Sequence, residues 1–175
     1  MKKLLMTIMA ISMVSVANAA DWTPVLGGNT QSSVLDAMLK DIVTLDAKYT
    51  PILNKNAKSG IFQNVPEPYR QDLNPAKLVI HKKEDFYEVI FPLTNATLYG
   101  FPIKEYVTYS GIENGFSGDR VVFGSLTTTQ YAQLKKKKFK IIKDEVCGES
   151  YPEKEVKLDE KTGDVYLING GSNCL

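Results

Sequence analysis

Apolar residues recur at every second position through much of the chain after Pro75, and this spacing constrains the fold more than any other feature. A period of two places alternate side chains on opposite faces of a strand, so one face can be buried while the other stays wet. Lys77 to His81, containing Leu78, Val79 and Ile80, and Asp85 to Phe91, with Tyr87, Val89 and Phe91 on one face, are expected to form a hairpin. Ala96 to Tyr99 and Ile103 to Tyr109 follow as strands, separated by Gly100 and Pro102. Pro102 lacks a donor, which marks an edge, a bulge or a crossing between sheet segments. Further strands are expected at Arg120 to Phe123 and Phe139 to Val146. Glu155 to Leu158 and Val165 to Ile168 flank the turn Lys161-Thr162-Gly163-Asp164 as a terminal hairpin.

Two segments show helical spacing instead. After Ser32 or Ser33, either of which suits an N-cap, Leu35, Met38, Ile42, Leu45 and Tyr49 recur at three- and four-residue steps up to Pro51. This predicts one long N-terminal helix, with an Asp36 and Lys40 pair on its wetter side. Thr127 to Lys137 predicts a shorter helix, its threonines suited to the N-terminus and its lysines to the C-terminal end of the dipole. Asp21 to Asn29 is expected to be extended or irregular. Pro51 to Pro75 reads as a long loop with a helical turn near Glu67 to Asp72. Strands outnumber helices and follow one another in hairpins. The expected fold is therefore α+β, with a mainly antiparallel sheet of about five to seven strands and the long helix packed on one face.

The first nineteen residues are set apart from this pattern. Lys2 and Lys3, an apolar run from Leu4 to Val16 and Ala17-Asn18-Ala19 are the three parts of a secretory signal peptide, so residues 1–19 are expected to be cleaved and the mature chain to begin at Ala20. Cleavage one residue later, before Asp21, is the alternative. The apolar run falls short of the about 20 residues of a relaxed span, and no membrane span is expected. Residues 20–175 are long enough for a single domain with its own core. Cys147 and Cys174 are the only cysteines, and in an oxidising periplasmic or extracellular setting they are expected to form a disulfide.

Few reactive constellations are present. Removing Lys2 and Lys3 leaves 19 basic against 20 acidic residues, which does not suggest a nucleic-acid partner. His81 is the only histidine and no G-x-S-x-G elbow occurs, which disfavours a serine hydrolase. Gly111, Gly115, Gly118 and Gly124 do not form a phosphate-cradling motif. Lys135 to Lys138 closes the second helix and reads as a solvated face. Asp159, Glu160 and Asp164 crowd a hairpin tip without EF-hand spacing, so a solvated turn is expected there. Nothing points to catalytic residues, a metal or a cofactor.

One segment has the composition of a recognition loop. Ser110 to Asp119 carries Phe116 among small polar residues, and an aromatic anchor on a pliable loop suits insertion into a partner's cleft. Tyr106, Tyr109, Asn114, Phe116, Asp119 and Arg120 are the candidate partner-binding residues. In general plan, a signal peptide followed by a small α+β domain with one disulfide resembles bacterial periplasmic inhibitors and immunity proteins. The expected function is that of a non-enzymatic periplasmic or secreted binding protein with a protein partner, an inhibitor or immunity protein that blocks an envelope-degrading enzyme by loop insertion. An envelope hydrolase using paired carboxylates on glycan or peptide, and a small-ligand-binding or structural envelope module, are the alternatives. Partner identity and oligomeric state stay open.

Overall fold

The computed structural model describes residues 19–27, 33–40, 43–45, 51–53, 62–83, 86–111, 117–145 and 148–169. Residues 1–18, both cysteines, Asn114 and Phe116 lie outside these. A two-stranded ribbon pairs β1 (Val43–Leu45) with β2 (Pro51–Leu53). The main sheet has seven antiparallel strands: β3 (Val79–Lys82), β4 (Phe86–Pro92), β5 (Thr97–Leu98), β6 (Phe101–Gly111), β7 (Ser117–Phe123), β10 (Lys154–Leu158) and β11 (Val165–Asn169). A separate hairpin, β8 (Ile141–Lys143) with β9 (Ser150–Pro152), connects its two parts. The order across the main sheet is β10-β11-β7-β6-β4-β3, with β5 pairing the start of β6. Among the described residues the α-helices are four and short: α1 (Thr23–Leu26), α2 (Ser33–Lys40), α3 (Tyr69–Asp72) and α4 (Thr128–Lys135). Among the described residues no helix is long and apolar enough to cross a membrane.

The mainly antiparallel sheet agrees with the two-residue period, and Tyr87, Val89 and Phe91 are all buried as their alternation requires. The long N-terminal helix is not present in that form. The described helix covers only the eight residues of α2, and Val43–Leu45 is a strand. Val43 and Thr44 are β-branched, a residue type that favours strands, and pairing with Pro51–Leu53 decides in favour of strand. Pro51 opens a strand, and residues 46–50 of the expected helix lie outside the described residues. Within the segment expected to be irregular, Thr23–Leu26 is helical instead, because Pro24 sits at the start of α1 where its missing N–H costs nothing. The expected helical turn near Glu67 to Asp72 is α3. Pro102 lies where β6 exchanges partners: it pairs Thr97 of β5, and the register against β7 then slips between Ile103 and Glu105. The second helix starts with a capping box. Thr127 Oγ1 accepts the Gln130 N–H, and the Gln130 side chain accepts the Thr127 N–H.

Strand register divides the sheet into two faces. Val89, Phe91, Tyr106, Val121, Phe123, Val165 and Leu167 line one face and join Trp22, Val25, Leu26, Val34, Met38 and Leu134 in a single buried cluster. Tyr69 of α3 packs against it as well. The second face carries Glu88, Ile90, Val107, Tyr109, Arg120, Val122, Tyr166 and Ile168, none of which belongs to that cluster. The helices thus contribute their apolar residues to one side of the sheet.

A tight turn holds the amino-terminal segment to this core. Tyr99 and Gly100 form the two-residue loop between β5 and β6, both with positive φ, +55° and +81°. A tyrosine in this conformation is strained, and its contacts hold it there. Its N–H donates to Thr23 Oγ1 at 2.7 Å, its hydroxyl donates to the Gly27 carbonyl at 2.6 Å, and the Lys137 ammonium stands 4.0 Å from its ring centre. Burial, helped by Glu153, pushes the Tyr99 hydroxyl up to about 12. Gly27 is required by close approach: a Cβ there would lie 2.5 Å from the Thr23 carbonyl oxygen and 2.9 Å from the Tyr99 hydroxyl. Gly27→Ala is expected to cost about 1–3 kcal/mol in thermal denaturation, and a loss below about 0.5 kcal/mol would show that the turn relaxes freely.

Candidate functional site

The second sheet face gathers a charged and aromatic stripe from strands far apart in sequence. Arg120 on β7 sits opposite Val107 on β6 and Ile168 on β11, near the middle of the strand order. Its guanidinium carbon is 5.5 Å from the Tyr109 ring centre and 5.4 Å from that of Tyr166, so one cation is shared by two aromatic faces. Phe86 meets Tyr109 edge-on, with ring centres 6.3 Å apart, and extends the stripe onto β4. Val107 and Val122 lie on this face yet are buried. Their cross-strand neighbours are Arg120 and Ile90, and Tyr166 and Glu105. The stripe therefore rests on an apolar floor within the sheet.

A carboxylate and an imidazole complete the arrangement. Arg120 Nη2 donates to Glu88 Oε1 at 3.0 Å, and His81 Nδ1 lies 3.6 Å from Glu88 Oε2. The Glu88 side chain is 12% exposed while Arg120 keeps 33% and His81 45%, so the group is sheltered at the carboxylate and open at the guanidinium and the imidazole. Arg120 Nε is buried without a hydrogen-bond partner among the described residues. Partial burial raises the Tyr109 hydroxyl above its ordinary value, and the positive charge of Arg120 opposes that rise. The group offers a flat, partly desolvated Arg and Tyr surface with an internally balanced charge.

The other candidate residues from the sequence take different places. Tyr109 and Arg120 are brought together on this face, whereas Tyr106 turns to the core side and is buried. The Tyr106 hydroxyl donates to Asp119 Oδ2 at 3.4 Å, and burial beside that carboxylate raises it. Asp119 also accepts from Asn169 and lies 3.7 Å from the buried Lys154 ammonium. These contacts knit β6, β7, β10 and β11 together beside the hairpin end. Sequence reasoning missed Glu88, Phe86 and Tyr166, which reach the site only through the strand order. Their alternation was the available signal, since it put Glu88 opposite in sense to Tyr87 and Val89.

The acidic hairpin tip is a turn. Asp159 Oδ1 accepts the N–H groups of Lys161 and Thr162, which holds its carboxyl below the usual range, and Asp164 pairs with Lys104 Nζ at 2.6 Å. Among the described residues no group of three or more His, Cys, Asp or Glu is placed to hold a metal ion. Comparison with models of protein families, with curated proteins and with solved structures found no match to this chain.

Proposed function

We propose that this chain is an exported, non-enzymatic binding protein whose protein partner is an enzyme that degrades the cell envelope, and that it acts as an inhibitor or immunity protein. Its leader, residues 1–19, would direct it to the periplasm or the exterior, where Cys147 and Cys174 would be bridged. The observation that carries the reading is the Arg120 guanidinium held between Tyr109 and Tyr166 on the sheet face opposite the helix-packed core. Arg and Tyr are the residue types that concentrate binding energy in protein interfaces, above all where packing has already restricted their motion. Phe116, which the insertion model requires, lies in sequence between β6, which carries Tyr109, and β7, which carries Arg120.

The first test is capture by the oxidised protein from envelope and culture fractions, followed by assay of the captured enzyme with and without the protein. One stoichiometric enzyme whose activity falls on addition of the protein supports the reading. Arg120→Ala and Tyr166→Ala are then each expected to weaken that complex about 30-fold or more, with unchanged circular dichroism. Unchanged affinity in both would remove this face from the proposal, and capture of glycan fragments alone would favour a hydrolase or ligand-binding module.

A further inference from the structure

Among the described residues, Asp72 and Lys154 are the only charged side chains that are buried. Lys154 has Asp119 beside it, but Asp72, 2% exposed, has no cationic side chain within ion-pair distance among the described residues. Trp22 Nε1 donates to Asp72 Oδ2 at 2.8 Å, and the backbone N–H of Ala20 is directed at the same carboxylate. The other charge acting on it is Glu67, of like sign, and nearby Arg70 is turned away to Glu67 and the Gln63 carbonyl. A buried carboxylate held by two neutral donors is short of positive charge.

The chain around Ala20 is fixed in place. The Ala20 carbonyl accepts from Thr97 N at 2.9 Å and Thr97 Oγ1 at 3.3 Å, and Trp22 N donates to the Thr97 carbonyl at 2.7 Å. Ala20 is 3% exposed, whereas Ala19, the last residue of Ala17-Asn18-Ala19, is exposed. The boundary between outside and inside thus coincides with the bond expected to be cut. The nitrogen facing Asp72 is the atom that cleavage would turn into the α-amine.

We propose that Asp72 is the receptor for the mature amino terminus, pairing with the Ala20 α-ammonium once the leader is removed. The inference rests on the export reading above. Hydrolysis by a signal peptidase adds water across the Ala19–Ala20 bond, leaving a carboxylate on Ala19 and an amine on Ala20 that takes up a proton at neutral pH. One neutral N–H donor becomes a cation with three. In the uncut chain, desolvation raises the Asp72 carboxyl, so the folded state prefers it protonated. Its contribution to stability is then full below the ordinary carboxylate range and is lost as pH rises through the raised value. With the ammonium in place the carboxyl is lowered and the sign reverses: stability is present at neutral pH and lost as pH falls. Glu67 works against the ionised Asp72 carboxylate in both states, and the hydrogen bond from Trp22 works in its favour.

The test begins with the full chain exported under its own leader, with the mature amino terminus read by intact mass. The folded product is then treated at neutral pH with an amine-acylating ester. The Ala20 α-amine is expected to react about tenfold or more slowly than in urea, a protection lost in Asp72→Asn. A second form retaining Ala19 ahead of Ala20 is expected to melt about 5–10 °C lower at pH 7, with the gap closing toward pH 4 and absent in the Asp72→Asn background. An α-amine that reacts equally fast folded and unfolded would overturn the pairing, whatever the export outcome. A mature chain beginning elsewhere, Asp21 included, would overturn the maturation step; a chain made to start at Ala20 then reports on the pocket alone.

Discussion

Trp22→Ala is expected to lower stability by about 3–5 kcal/mol, as large-to-small changes at fully buried aromatics do. The indole has no solvent exposure, meets Tyr69 edge-on with ring centres 5.0 Å apart and belongs to the cluster joining the helices to the sheet. Truncation would open a cavity there and also leave the Asp72 carboxylate without its indole donor, a second and separate cost. Trp22→Phe separates the two terms, because it keeps much of the ring volume and removes only the N–H. The measurement is urea denaturation followed by circular dichroism, since Trp22 is the only tryptophan and the variant has no indole signal. A loss under about 1 kcal/mol for Trp22→Ala would mean that the amino-terminal arm is not part of the cooperative core.

The second large effect concerns Asp119, one of the residues that sequence reasoning placed in the partner-binding group. Asp119→Ala is expected to destabilise the fold by about 3 kcal/mol, because removing one partner of a buried pair leaves the other charge uncompensated. The Lys154 side chain is 6% exposed, and among the described residues its ammonium would retain only the Asn169 side-chain oxygen at 2.5 Å. Replacing both members, Asp119→Ala with Lys154→Met, is expected to recover most of the loss, since an apolar stem of similar length no longer carries a charge into the interior. If the double variant is no more stable than the single one, Lys154 is not the origin of the cost. The same pair of variants separates structural from contact roles at the hairpin end, because restored stability without restored partner affinity would assign Asp119 to binding as well.

The strands were legible where one face is wholly apolar. Tyr87, Val89 and Phe91 alternate without interruption, and the pleat leaves them no other way to be buried together. The segment after Lys40 was not, because its three- and four-residue spacing and its β-branched residues support two local conformations, and pairing with Pro51–Leu53 chooses between them. The candidate site was half legible for a related reason. Tyr109 and Arg120 flank one hairpin and are near neighbours in sequence, whereas Glu88 and Tyr166 join them only because β4 and β11 happen to lie on either side of the β6 and β7 pair. Strand order depends on how whole hairpins stack, a choice made by the packed core and carried by no short stretch of residues.

The attachment of the amino-terminal arm also sets an order of events. Ala20 and Thr97 are 77 residues apart, and Tyr99 reaches back 76 residues to Thr23 and 72 to Gly27. A chain synthesised from its amino end delivers Trp22 early and its docking site late. Contacts of such long range are made only after the loop between them has emerged and closed, so the arm waits as an unfolded strand while the β5 to β6 turn is assembled. During that interval an apolar stretch is exposed to proteases and to other chains, and quenching or blue-shift of the single indole would time its disappearance.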